Sequence, residues 1–245
     1  MIIDAFLYNG EVDMLRCHVA QTAPYVDMHV ALERNKTITG ELRAFSRSPD
    51  DLKNLIIVDD DTDGPDDPWA YEDQSRELLM QYVQGVPTRG EEAFVIFGDV
   101  DEIPNCPWIS HRVLRTGPRV LSLHHNVFNL GWRDPADWLG PFIGLVKDFD
   151  PKEMGELRRQ RSTYKPVPHA GWHLSWFGSM DERRQKVINS PHTDYQWMAK
   201  PGILERMVMT GEIWNGIQLV SDLGSEGGRP TWVEDGHSPQ GWWTQ

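Results

Sequence analysis

Ala93-Phe94-Val95-Ile96-Phe97-Gly98-Asp99-Val100-Asp101-Glu102-Ile103-Pro104 joins an apolar run to three closely spaced carboxylates. Ala93 to Gly98 is apolar without alternation, the pattern of a strand covered on both faces. Gly98 gives clearance where that strand ends. Asp99 and Asp101 follow at i and i+2, which in extended chain point to the same side. Open α/β sheets take their ligands at the carboxyl ends of strands. Two hard oxygen donors at that position suit Mg2+ or Mn2+, and either ion can bridge a diphosphate. A divalent ion there offsets the charge that a departing nucleoside diphosphate gathers as its bond to a sugar breaks. The alternative is a solvated, acid-rich turn; placement directly after the buried strand raises the ligand site to parity with it.

Upstream, strand and helix signals alternate. Ile2 to Tyr8 is a short apolar run, and Asn9-Gly10 is a turn signal. Glu11 to Gln21 places Val12, Leu15, Val19 and Ala20 at helical spacing. Tyr25 to Glu33 alternates as a second strand, and Leu55-Ile56-Ile57-Val58 reads as a third. Pro68, at a favoured first-turn position, opens a helix of about 17 residues with Leu78, Leu79, Tyr82 and Val83 as its core stripe. This rhythm predicts an α/β fold whose central sheet is mainly parallel and flanked by helices. Downstream the pattern loosens. Val120 to Leu130 reads as a strand, residues 131–180 as mostly loops with short strands, and 203–209 as a short helix. The expected organisation is a single domain over residues 1–221 and an irregular C-terminal tail over 222–245.

Composition narrows the function. The 245 residues fit one α/β domain or two small ones, and 39% hydrophobic content supports a real core. The 24 basic residues face 37 acidic ones, a net charge of −13. That argues against nucleic acid and against an anionic membrane surface as partners, because both need broad positive fields. Cys17 and Cys106 cannot build a disulfide framework or a zinc cluster, and a reducing compartment is the simplest reading. No run approaches the roughly 20 apolar residues of a membrane span, and the N-terminus has no basic leader. Trp132 and Trp138, among 11 tryptophans, are candidates to stack on a sugar face, with packing as the alternative.

Other charged segments compete with the first. Asp59-Asp60-Asp61-Thr62-Asp63-Gly64 matches the start of an EF-hand loop, but position 12 is Ala70 and a strand precedes it where a helix is required. It reads as a solvated loop. Between Glu156 and Lys186, seven basic residues face three acids, a local excess that suits an anion such as a diphosphate or a salt-bridged face. Next to it, Gly171-Trp172-His173-Leu174-Ser175-Trp176-Phe177-Gly178 sets His173 among aromatic residues, either as a satisfied core histidine or as a partner of the aspartates around a metal. Lys186 would act as a point charge on phosphate. Glu72 and Arg76 form an i, i+4 pair that supports a helix by about 0.2–0.5 kcal/mol.

Taken together, these segments resemble glycosyltransferase family 17. Asp99-Val100-Asp101-Glu102-Ile103-Pro104 matches the family's Asp-Val-Asp-Glu-Ile-Pro fully. Gly171 to Gly178 is similar to its Gly-Trp-His-Phe-Ser-Tyr-Phe-Gly, with Lys186 and His192 where the family places Lys and Ser-His. Weaker likenesses run in the same order: Ile3 to Phe6, Glu11 to Leu15, Val26-Asp27, Glu33, Thr37 to Gly40, Trp69 with Glu72, Gln74 and Arg76, and Asn126 to Trp132. Ala5 stands where the family usually has Cys.

The resemblance implies a GT-A-like nucleotide-sugar-binding fold and an inverting transferase that moves a sugar, N-acetylglucosamine, from a UDP-sugar to a glycan or other hydroxyl acceptor with Mn2+ or Mg2+. Asp99, Asp101 and His173 would be metal ligands, with His192 in reserve. Asp4, Glu11, Glu33, Arg76, Asp99 and Lys186 would line the nucleotide. Inversion needs a carboxylate base, and Glu102, Asp134, Asp137 and Glu182 remain open candidates. Because this chain shows neither anchor nor leader, the expectation is a cytoplasmic enzyme of bacterial or viral type. Two other classes share features: a non-catalytic glycan-binding module, which needs neither nucleotide nor metal, and a metal-dependent nucleotidyltransferase, whose usual Gly-rich phosphate loop is missing here.

Overall fold

Strand β1 (Ile2–Tyr8) is buried on both faces, and the first half of the chain is built around it. The computed structural model describes residues 1–46, 49, 51–88, 90, 92–109, 115–222, 228–239 and 241–243. After β1 come helix α1 (Val12–Thr22), β2 (Met28–Arg34), β3 (Leu55–Asp60), helix α2 (Pro68–Gly85) and β4 (Phe94–Asp99). The four strands lie in the order β3-β2-β1-β4 and are all parallel, with Ala5 opposite both Val30 and Phe97. Side chains of β1 alternate between two cores. Phe6 and Tyr8 pack with Leu15 and Cys17 of α1, whereas Ile3 and Ala5 pack with Leu79, Met80 and Val83 of α2. The two helices therefore cover opposite faces of the sheet. Helix α2 begins at Pro68, and the Asp67 side chain accepts from the Ala70 amide at 2.8 Å, satisfying one of the open N-terminal donors.

Beyond β4 the expectation of a mainly parallel sheet needs correction. The later elements are β5 (Glu102–Pro104), β6 (Arg119–Val127), β7 (Trp132–Arg133), β8 (Trp138–Leu145), α3 (Met154–Arg159), β9 (Pro166–Val167), β10 (Gly171–Ser175), α4 (Met180–Ile188), α5 (Ile203–Thr210), β11 (Val220–Ser221) and the short helix α6 (Thr231–Glu234). Strand β8 runs antiparallel to β4, and β6 antiparallel to β8. Antiparallel neighbours need only a short connection, whereas a parallel pair needs a crossover of a dozen residues or more; the chain between β6 and β8 is too short for a crossover helix. Residues 131–180, read as mostly loops, also contain the long and largely buried β8.

Strand β10 pairs antiparallel with β5 and parallel with β6, setting His173 opposite both Glu102 and His125. The described part of the tail packs on the core: Trp242 is buried against Phe177 and Trp232, and its carbonyl accepts from the Leu130 amide. Residues 223–227, 240, 244 and 245 of that tail lie outside the described residues. Cys17 and Cys106 are both free and buried, and burial pushes both thiols up. Among the described residues, no helix is long and apolar enough to cross a membrane.

Candidate active site

Because β1 to β4 are parallel and in register, their ends at Tyr8, Arg34, Asp60 and Asp99 fall on one edge of the sheet. A cavity of about 540 Å³ is bounded by the turn after β1 (Asn9, Gly10, Glu11), the segment after β2 (Thr37, Arg43), the loop after β10 (Trp176, Phe177), the α4 face bearing Glu182 and Lys186, and Trp242.

The acidic motif sits beside this cavity with a geometry that extended chain does not predict. Asp99 closes β4, but Val100 and Asp101 form a turn before β5, so the i, i+2 rule fails and the two aspartates part company. Asp99 bonds to the guanidinium groups of Arg76 and Arg158, at 3.2 Å and 2.8 Å. Asp101 takes Lys186 Nζ at 2.6 Å and stands 3.6 Å from His173 Nε2. Burial works against both carboxylates. At Asp99 burial prevails and raises the pKa despite the two arginines. At Asp101 Lys186 and His173 prevail and hold the carboxyl well below the usual carboxylate range. Burial opposes the Lys186 ammonium as well, but Asp101 and Glu11 outweigh it and raise its pKa. Gly98 does supply clearance: a Cβ there would lie 2.5 Å from Pro141 Cβ and 2.6 Å from Glu102 Oε2.

The turn itself is held from beneath. His18 of α1 donates through Nδ1 to the Val100 carbonyl at 2.8 Å and through Nε2 to Asp4 at 3.0 Å. Both ring nitrogens face acceptors, so the imidazole is protonated and forms a buried ion pair with Asp4. Asp4, 1% exposed, therefore faces α1 from the middle of β1 and is not part of the cavity wall.

On the other side of Asp101, His173 stacks on His125 with ring centres 4.7 Å apart and on Trp138 at 4.3 Å. Among the described residues, His173 Nδ1 and His125 Nε2 are buried without hydrogen-bond partners. Burial first, and His173 second, hold the pKa of His125 well below the ordinary imidazole value. Asp101 and His173 are thus the members of the expected metal set that come together; Asp99 turns away. His192 stacks on Tyr195 and meets Trp69 edge-on, with no contact to Asp101. Among the described residues, no three His, Cys, Asp or Glu side chains converge. Mg2+-type sites commonly use one or two protein ligands and complete their shell with substrate phosphate and water, and a carboxylate with an imidazole meets that need for Mn2+.

The model of glycosyltransferase family 17 matches residues 1–224, a span that holds both the acidic turn and the His173 strand. The chain belongs to glycosyltransferase family 17. No curated protein matches it at a significant level. As a family 17 glycosyltransferase, of N-acetylglucosaminyltransferase type, it acts on a sugar donor and an acceptor.

Within this family 17 chain, the four base candidates occupy different settings. Glu102 is fully buried, bonded to Arg158 at 2.6 Å and to Trp138 Nε1 at 2.5 Å, and accepts from the Asp99 amide. Burial resists its charge, but Arg158 draws its pKa down. Asp137 accepts from Ser122 Oγ, and Asp134 accepts from the Ala136 amide and lies 3.7 Å from His125. Glu182 alone of the four lines the cavity, where its Oε2 accepts from the Ser179 amide in a capping box. The seven basic residues of 156–186 do not gather around an anion. Arg158 serves Asp99 and Glu102, Arg159 serves Asp73 and Glu156, and Arg184 serves Asp181 and Glu205. Arg161 lies over Trp138, Arg183 is bonded to backbone carbonyls, and Lys186 alone of the seven lines the cavity. The 59–67 segment is largely exposed, as expected of a solvated loop; the exception is Asp60, the last residue of β3, which is buried against Arg34.

Several wall residues carried no sequence signal of their own. Arg43, Asn189 and Trp242 come from segments far apart in the chain, and only the fold gathers them. Trp176 lay within a recognised motif, but its left-handed backbone (φ 63°) and its stacking on Trp214 at 5.0 Å are tertiary facts. Trp132 and Trp138 are both committed to packing: Trp132 Nε1 donates to the Val208 carbonyl, and Trp138 lies between His173, His125 and Arg161.

Proposed function

We propose that this chain is a metal-dependent, inverting N-acetylglucosaminyltransferase that takes its sugar from UDP-N-acetylglucosamine and delivers it to a hydroxyl of a glycan or other acceptor on a GT-A-like fold. The fold reading is supported by the parallel block β3-β2-β1-β4, by the acidic turn at the end of β4 and by the switch to antiparallel pairing beyond it. One observation carries the chemistry: Lys186, on the cavity wall, holds Asp101 at 2.6 Å. A fixed cation and a buried carboxylate side by side can divide the work at a departing diphosphate, the ammonium meeting phosphate oxygens and the carboxylate meeting a cation.

Asp101 and His173 would hold a Mn2+ or Mg2+ ion, which when bound supplies positive charge to the leaving diphosphate. Glu11, bonded to the Asn9 amide and 3.8 Å from Lys186, holds the turn after β1 in place beneath the nucleotide. Glu182 is the base in this reading. The acceptor oxygen forms its bond to the anomeric carbon on the face away from the diphosphate, the bond from that carbon to the phosphate oxygen breaks with its electron pair, and the hydroxyl proton passes to the Glu182 carboxylate. Trp176, Phe177 and Trp242 belong to the apolar part of the wall and limit access of competing water.

A donor screen tests this. Nucleotide sugars are incubated with the protein with and without manganese, and released nucleoside diphosphate is measured. UDP release from UDP-N-acetylglucosamine that depends on manganese is expected; no release from any nucleotide sugar overturns the reading.

A further inference from the structure

We propose that Arg43, oriented by Glu33, is a second fixed cation for the diphosphate of a nucleoside-diphosphate donor, working with Lys186; this rests on the donor-site reading above. Among the described residues, Arg43 and Lys186 are the basic side chains of the cavity lining, against Glu11, Asp13, Asp181 and Glu182. Where fixed carboxylates outnumber fixed cations, an anion depends strongly on each cation present.

The Arg43 guanidinium is held on three sides. Its Nε donates to the Arg34 carbonyl at 2.9 Å and its Nη2 to the Tyr8 carbonyl at 3.5 Å, the last residues of β2 and β1. Nη2 also lies 3.2 Å from Glu33 Oε1. Glu33 is itself fully buried, and its carboxylate accepts from the Ser46 amide and hydroxyl. The remaining nitrogen, Nη1, has no acceptor among the described residues. It lies over Gly10, on the cavity wall, 3.2 Å from where a Cβ would stand. Gly10 has φ +91°, a conformation open to glycine at little cost, and a side chain there would also strike Ser46 Oγ at 2.8 Å.

Lys186 and Arg43 therefore stand beside consecutive residues of one turn, Lys186 next to Glu11 and Arg43 above Gly10. A guanidinium fixed by three protein acceptors with one edge left open loses little side-chain freedom when it meets phosphate oxygens. Its geometry suits a diphosphate better than a neutral base or ribose, because charge-assisted bonds are the stronger kind.

The test is an NMR titration with UDP and, separately, with uridine, manganese being present throughout. Arg43→Gln is expected to weaken UDP binding by at least about 10-fold while leaving the affinity for uridine unchanged within about two-fold. Arg43→Lys, which keeps the charge but not the fork, is expected to fall between. Unaltered UDP affinity in Arg43→Gln overturns the proposal. Equal loss of UDP and uridine also overturns it, because that is what a merely structural arginine would produce. Failure of the wild-type protein to bind UDP is a separate result: it refutes the donor-site reading, and the role of Arg43 falls with it.

Discussion

Lys186 Nζ lies 2.6 Å from Asp101 Oδ2, so an ammonium carried by α4 neutralises the carboxylate that the turn after β4 presents. The two residues are 85 positions apart in sequence, and their contact ties the late half of the chain to the parallel block. Any cation that approaches Asp101 must displace Lys186 or share the carboxylate with it.

Lys186→Met is therefore expected to act in two directions. Turnover falls by about 10-fold or more, because a point charge on the diphosphate is lost. The manganese concentration for half-maximal activity falls too, because the competing ammonium is gone. Steady-state rates across a manganese titration measure both. A higher manganese requirement in this variant would contradict the competition.

Glu182 and Glu102 should separate cleanly. Glu182→Gln keeps an acceptor for the Ser179 amide, so its melting temperature stays close to wild type while kcat drops by about 10²–10⁴. Glu102→Gln removes the fully buried charge that faces half-buried Arg158, and breaking such a pair costs about 3–5 kcal/mol. Calorimetric unfolding alongside activity distinguishes the two. Full activity in Glu182→Gln would remove it as the base.

The Asp4–His18 pair makes stability depend on pH in a defined direction. Burial opposes both charges, but each partner outweighs it for the other, lowering the Asp4 pKa and raising that of His18. The His18 contribution is fully present below the unfolded value of about 6.5 and is lost as pH rises through the higher folded pKa. The Asp4 contribution is present above the unfolded value of about 3.9 and is lost as pH falls through the lower folded one. His18→Gln is expected to cost about 3–5 kcal/mol near pH 6 and to flatten the decline of melting temperature as pH rises above about 6.5. An unchanged slope in this variant would exclude His18 as its source.

Gly98→Ala should destabilise without removing any charge. The added methyl meets Pro141 and Glu102 at 2.5 Å and 2.6 Å, inside normal contact distance. Overpacking of this kind costs about 1–3 kcal/mol, read as a shift of the denaturant midpoint at constant slope. A variant as stable as wild type would show that β4 and β8 can separate locally.

Most of the first half was legible because its signals are local. Pro68 with Asp67 starts α2, apolar runs make β1 (interrupted by Asp4) and β4, and Asn9-Gly10 turns the chain between β1 and α1. The second half was harder to read. Strand β8 contains glycine and proline and gains its order from β4 and β6 on either side, which no window of sequence reports.

Amino-acid order alone determined that a buried strand ends in carboxylates on the ligand edge of an α/β sheet, and which family motifs stand where, since strand periodicity and side-chain chemistry are properties of neighbouring residues. Only the tertiary structure decided that Asp99 faces arginines while Asp101 faces Lys186 and His173, that Glu102 is buried while Glu182 borders the cavity, and that Arg43 joins the wall. The reason is physical: a side chain's charge state and reach depend on partners brought near by packing, and those partners lie tens of residues away along the chain.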